Sequence, residues 1–284
     1  MTLNTLKFGR DQLKNGSYIK IDKSMLACRA LFGLGLDSVL LYAYLLDLTG
    51  LSRKNGKVDA DGRIRIGCTR ETAARLLGCC EKTAAKQFRA LIDAGLLEVD
   101  EHNGSRTLFV RGWCEPSERH SVEELRSGGF PPITADFSPA MEHYAKLSME
   151  VLAWKGLDSC AKLLYALLSD KQEFADRGEK EFFLVDRGTL QKQLGCGRTS
   201  LSNAVLALEK AGLLERAAKA GYGKPVPLHI NTPAYAGLPS RCAETEAPAV
   251  SMTVFPGGDG RVIHMYFIDP KPPAPYLEGE WRAC

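Results

Sequence analysis

The chain has 284 residues, 37 Lys and Arg against 34 Asp and Glu, and 45% hydrophobic residues, enough apolar content for two cored domains. A net charge of +3 and ordinary Gly and Pro contents exclude a disordered acidic tail or a fibrous repeat. No run approaches the roughly 20 apolar residues that span a bilayer, and the first twenty residues carry charge throughout, so the chain reads as cytoplasmic, with no membrane segment and no signal peptide.

In chain order, Lys7, Arg10, Lys14, Lys20 and Lys23 form a basic leading arm, read as a solvated terminus. Leu36, Val39, Leu40, Ala43 and Leu46 recur at helical spacing. Residues 57–66 alternate around Asp61-Gly62, a hairpin turn pair. Thr69 is a candidate N-cap, and Leu77-Gly78-Cys79 ends a short helix with its Gly in the left-handed position. A longer helix begins soon after, with Ala84, Phe88, Leu91 and Ile92 as its apolar face, and Ala94-Gly95 stops it. The stretch LLEVDEHNGSRTLFVR then turns back at Asn103-Gly104. Ser127-Gly128-Gly129 and Pro131-Pro132 mark a linker over 113–140.

Leu157, Ala161, Leu164 and Leu168 begin a second helical region, followed by Asp186 as an N-cap and by Leu201, Val205 and Leu208 on another helix. A second hairpin is expected to turn near Gly221–Gly223. Beyond Thr232, VSMTVF and RVIHMYFI alternate around a Gly turn, giving a β-hairpin and then a Pro-rich tail over 270–275.

The chain repeats itself. Residues 69–98 align without a gap to residues 186–215, with twelve of thirty positions identical, among them Leu77-Gly78-Cys79 with Leu194-Gly195-Cys196 and Ala94 to Glu98 with Ala211 to Glu215. Upstream, Leu40-Leu41-Tyr42-Ala43 matches Leu163-Leu164-Tyr165-Ala166. Such a self-match means two copies of one fold. Each copy reads as a short helix, a Gly turn and a second helix, which is a helix-turn-helix, followed by a hairpin that makes it a winged helix. The expected architecture is mostly α with small β-hairpins (α+β): a winged-helix domain at 17–112, an acidic linker at 113–140, a second winged helix at 141–232, and the hairpin and tail at 233–284.

In a helix-turn-helix the second helix enters the major groove, and its N-terminal residues reach base edges. The candidates are Lys82, Thr83, Lys86, Gln87 and Arg89 in the first copy, and Arg198, Thr199, Ser200, Ser202 and Asn203 in the second. Arg and Lys suit guanine, Asn and Gln suit adenine, and Ser and Thr serve either. Thr69 and Arg70, the loop residues Lys54 and Asn55, and the wing residues Asn103, Arg106 and Lys224 complete the expected DNA-contacting set. Residues 69–89 hold five basic against two acidic residues, whereas 115–150 hold seven acidic against three basic, so the near-neutral total hides segregated charge. A basic face is what phosphate neutralisation requires. The basic run Arg53, Lys54, Lys57, Arg63 and Arg65 faces only Asp59 and Asp61.

The segments YIKIDKSML, LLYAYLLDLTGLSRKNGKVDADGRIRI and TRETAARLLGCCEKTAAKQFRALIDAGLLE resemble the N-terminal domain of the replication initiator protein A family (RepA_N) over about residues 17–112. The most specific part is Leu51 to Asn55 with Gly56, Val58, Asp59, Gly62 and Arg63. The resemblance implies an initiator of theta-type replication on a plasmid or mobile element, whose winged helix binds repeated origin sites in double-stranded DNA, often as a homodimer, and which recruits host helicase-loading or replication proteins. A mobile-element transcriptional regulator and a protein-binding replication adaptor remain as alternatives.

Enzyme signatures are absent from the sequence: no Gly-x-x-x-x-Gly-Lys-[Ser/Thr], no His-Glu-x-x-His, no Gly-x-Ser-x-Gly, and no His-x-His pair beside a candidate Tyr nucleophile. The nine cysteines are scattered without Cys-x-x-Cys and read as thiols in a reducing compartment. The chain is therefore expected to be non-enzymatic, without metal or cofactor. Two readings of the duplication stand: a single chain that reads two unequal half-sites, or a second copy that serves as a dimer interface.

Overall fold

The computed structural model describes residues 18–102, 105–117, 120–137, 141, 143–177, 183–216, 226–231, 233, 249–256 and 262–269. Strand β1 (Tyr18–Asp22) leads directly into a short helix α1 (Lys23–Cys28). Asp22 caps that helix, its carboxylate accepting from the amides of Ser24 and Met25. A 3-10 turn (Arg29–Phe32) precedes α2 (Leu36–Lys54), which buries Val39, Leu40, Leu41, Tyr42, Ala43 and Leu45. A helix apolar on so much of its circumference has to be central.

Residues 57–66 make the expected tight excursion: Val58 bridges Ile64, and the Asp59 carboxylate accepts from the amides of Asp61 and Arg63. Helices α3 (Arg70–Leu77) and α4 (Glu81–Asp93) follow, then strands β2 (Leu97–His102) and β3 (Ser105–Val110). The strands pair antiparallel with His102 opposite Ser105; the expected Asn103-Gly104 turn lies outside the described residues.

The segment expected as a linker is anchored to the core by several buried residues. A short helix α5 (Val122–Glu124), started by a Ser121/Glu124 capping box, runs into a π turn (Leu125–Gly129). Leu125, Phe130 and Ile133 are buried, and Phe130 stacks on Trp113 with ring centroids 5.5 Å apart. Arg111 donates to the Gly128 and Phe130 carbonyls, and Arg53 to those of Thr134 and Phe137. The apolar residues in this segment have a core to enter, so the chain does not loop freely.

The second copy repeats the order: β4 (Tyr144–Ser148), α6 (Met149–Ala153), α7 (Ser159–Arg177), β5 (Phe183–Val185), α8 (Arg187–Leu194), α9 (Arg198–Lys210), β6 (Leu214–Arg216) and β7 (Val226–Ile230). Its three strands form a sheet in the order β5-β7-β6. The turn expected near 221–223 lies outside the described residues. Beyond it, β8 (Ala249–Pro256) and β9 (Val262–Asp269) pair antiparallel as the alternating sequence implies; the Pro-rich tail lies outside the described residues.

Strands β1 and β4 join the copies. They pair antiparallel with Lys20 opposite Lys146, Ile19 opposite Leu147 and Ile21 opposite Ala145. The inward side chains are buried. On the outer face Lys20 lies over the Tyr144 ring at 4.6 Å and Lys146 over the Tyr18 ring at 5.8 Å, a reciprocal pair of cation–π contacts. The repeat therefore begins at Tyr18-x-Lys20 and Tyr144-x-Lys146, and a local two-fold axis passes through the centre of the ladder. Lys23 pairs with Asp170 at 2.7 Å and Lys146 with Glu173 at 3.4 Å. Lys20 and Lys23 thus belong to the junction between copies, a correction to the solvated leading arm; Lys7, Arg10 and Lys14 lie outside the described residues. Buried apolar residues from both copies form one continuous core, from Ile19 to Ile230.

Candidate nucleic-acid interface

Both helix-turn-helix units are built by the same local rules. The Thr69 hydroxyl accepts from the Thr72 amide at 3.0 Å, and the Asp186 carboxylate from the Thr189 amide at 2.8 Å, so each first helix starts on a side-chain cap. Each ends at a glycine with positive φ, +70° at Gly78 and +51° at Gly195, a conformation that costs other L residues about 1–2 kcal/mol. Cys80 and Gly197 then open the second helices in extended conformation.

On α4 the buried residues are Ala84, Gln87, Phe88 and Leu91, and Glu81, Lys82, Lys86 and Arg89 are exposed. Thr83 is half-buried and its hydroxyl lies 3.3 Å from the Cys80 thiol. On α9 the buried residues are Leu201, Ala204, Val205 and Leu208, with Arg198, Thr199, Ser200 and Asn203 exposed and Ser202 half-buried. The structure therefore gathers Lys82, Lys86 and Arg89 on one open helix face, and Arg198, Thr199, Ser200 and Asn203 on its counterpart. Thr69 and Arg70 are exposed at the start of α3. Lys54 and Asn55 sit exposed at the C-terminal end of α2, ahead of the 57–66 excursion.

Gln87 does not belong to this face. It is 9% exposed, and its side-chain oxygen accepts from the Ser38 hydroxyl at 2.7 Å, which ties α4 to α2. It sits at the i+3 position after buried Ala84, on the core stripe, so base reading by Gln87 is ruled out. Arg106 is half-buried on strand β3 rather than at a wing tip, with its guanidinium 5.4 Å from the Phe88 ring centroid. Arg89 pairs with Asp93 at 3.1 Å across one helical turn, an exposed contact that a phosphate readily displaces. Asn103 and Lys224 lie outside the described residues.

The basic run before α3 divides as well. Arg63 is held by Asp59, Asp61 and Glu98 and stacks over Phe109, and Arg53 anchors the 113–137 segment, which leaves Lys54, Lys57 and Arg65 exposed. Cys80, one of an adjacent cysteine pair with Cys79, has its exposed thiol held below the ordinary range by the Thr83 hydroxyl and by backbone amides at the helix start.

The copies also reach into each other's helix-turn-helix. Arg29, just after α1, donates to the Gly195 carbonyl at 2.9 Å. Lys162 on α7 points its ammonium at the Leu77 carbonyl, 3.5 Å away, beside Gly78. Helix α1 packs on α8, and α6 packs on α3. Each first helix therefore ends on a cation from the other copy, the favourable sign at a helix C-terminus.

Residues 17–111 match the family described as Replication initiator protein A (RepA) N-terminus. The RepA-type segment thus spans β1 through β3, the whole first copy with its open α4 face, and the second copy lies beyond the match. Two solved structures are similar in part: one described as the N-terminal domain of a DNA-binding protein, at 22% identity over 46% of this chain and 97% of that one, TM-score 0.34; and one described as the structure of a Rep–DNA complex, at 22% identity over 47% of this chain and 98% of that one, TM-score 0.33. No curated protein matches the chain. Among the described residues, no helix is long and apolar enough to cross a membrane.

Proposed function

We propose that the protein is a non-enzymatic replication initiator of a plasmid or mobile element that binds double-stranded DNA through its winged helices and recruits host replication proteins to the origin. The observation that carries this reading is the RepA match over 17–111, taken with the face that segment leaves open: the start of α4, where Lys82 and Lys86 stand exposed at the end of the molecule's first helix-turn-helix. A recognition helix meets bases with its N-terminal residues, and these are the ones freed from the core. Thr69, Arg70, Lys54 and Lys57 add exposed polar and basic groups suited to phosphates, which fix register without reading sequence.

Footprinting the full-length protein on plasmid DNA carrying its own gene tests the reading. Protection of repeats beside the gene, with log affinity falling by roughly 0.9 per decade of salt for each neutralised phosphate, supports an initiator. Protection confined to a promoter would make the protein a regulator instead, and a flat salt profile without protection would remove DNA from its function.

A further inference from the structure

We propose that one copy of this chain, acting alone, occupies an asymmetric duplex site, the first repeat reading one half-site and the second repeat reading a half-site of different sequence. This rests on the DNA-binding reading above and adds to it the form of the site and the number of chains on it.

The first support is symmetry. The β1/β4 ladder, the reciprocal Lys–Tyr contacts and the matching packing of α1 on α8 and α6 on α3 relate the two repeats by a local two-fold axis. Two-fold-related recognition helices are what a symmetric dimer presents to two half-sites, because the duplex backbone has the same local symmetry. Here that arrangement is complete within one chain. The strand pairing and the apolar face that two separate chains would have to bring together are already joined, in one continuous core.

The second support is rigidity. The Arg29–Gly195 and Lys162–Leu77 contacts fix the ends of α8 and α3, the helices that carry the recognition helices, each against the opposite repeat. The spacing and direction of α4 and α9 are therefore set by packing rather than by a tether, so bringing the two helices into register costs no ordering entropy on DNA.

The third support is a change of chemistry on the reading face. The buried positions of the two helices correspond: Ala84 and Leu201, Gln87 and Ala204, Phe88 and Val205, and Leu91 and Leu208 are all buried. The caps and turn glycines correspond too. The exposed residues do not: Glu81 stands where the second repeat has Arg198, Lys82 where it has Thr199, Lys86 where it has Asn203, and Arg89 where it has Leu206. Lys suits guanine and Asn suits adenine, while Leu206 offers only an apolar contact such as a thymine methyl. A symmetric frame carrying two chemically different faces selects a site whose backbone contacts are symmetric and whose sequence is not.

The test is selection of bound duplexes from a randomised 40-base-pair library with the full-length chain, followed by mass measurement of the complex on the selected duplex. The expected result is a consensus with two unlike half-sites about one helical turn apart and one chain bound. Lys82→Ala then relaxes base preference in one half-site and Asn203→Ala in the other, each with about a tenfold loss of affinity. Both residues are exposed, so neither substitution disturbs the core. An inverted repeat carrying two chains, or a consensus with one half-site insensitive to Asn203→Ala, overturns the proposal while leaving DNA binding intact. Enrichment of no sequence overturns both the proposal and the DNA-binding reading beneath it.

Discussion

The guanidinium of Arg29 caps the carbonyl of Gly195, 166 residues away, and so ends a helix that belongs to the other repeat. A side chain added at Gly195 would clash with that guanidinium, so the glycine answers both to its φ and to the arginine above it. Arg29→Ala is expected to lower unfolding stability by about 1–3 kcal/mol, the range for losing a hydrogen bond from a charged donor. Urea melts of wild type and variant measure it; equal midpoints would show that the cap contributes nothing.

Gln87 and Ser38 form a buried hydrogen-bonded pair between α4 and α2. Gln87→Ala strands the Ser38 hydroxyl and opens a cavity, at a cost of about 1–3 kcal/mol. The double variant Ser38→Ala with Gln87→Leu removes both polar groups and should recover most of that loss. Sequence preference on DNA should be the same in all three proteins; a change confined to one base pair would return Gln87 to the reading face.

Lys162 is fully buried, and burial lowers its ammonium to about 8 from 10.5, partly offset by Asp37, Cys79 and Asp158. Between those two values the unfolded chain binds more protons than the folded one, so stability rises with pH from about 8 to 10.5 and carries the full penalty below 8. Lys162→Met should therefore stabilise the protein at pH 7, by an amount on the order of 1–3 kcal/mol, and by progressively less toward pH 10. Thermal melts across that range check the slope; parallel curves for the two proteins would contradict it.

Cys80 opens α4 with an exposed thiol held below the ordinary range, whereas burial pushes the Cys68 thiol up to about 11 and raises Cys160 as well. At neutral pH iodoacetamide should modify Cys80 first among the described cysteines. A duplex that occupies the α4 face should slow that modification at least several-fold, read by peptide mass spectrometry. Undiminished alkylation in the presence of bound duplex would place the DNA elsewhere.

What the sequence made legible was local. Thr69 and Asp186, Gly78 and Gly195, and the hairpin registers follow from side-chain caps, φ preference and alternation, each decided within a few residues. Gln87 shows the limit of reading by residue type: its polar side chain suggested a base contact, although Ala84, Gln87, Phe88 and Leu91 fall on one stripe by spacing alone. The β1/β4 ladder was hidden for a different reason. Its strands are five residues each, their partners stand more than a hundred residues apart, and nothing in either stretch states which edge it will meet. The linker misled because turn residues such as Ser127-Gly128-Gly129 punctuate it, while Leu125 and Phe130 on either side are core.

The β1/β4 ladder has one more consequence, for dosage. A pair assembled from two free chains falls off with the square of chain concentration once dilute, so its activity collapses when few molecules are present. Here the partner strand is covalently attached, and the paired state forms at an effective concentration that dilution does not touch. If one chain occupies the site as proposed above, the amount of competent protein scales in direct proportion to the number of chains made.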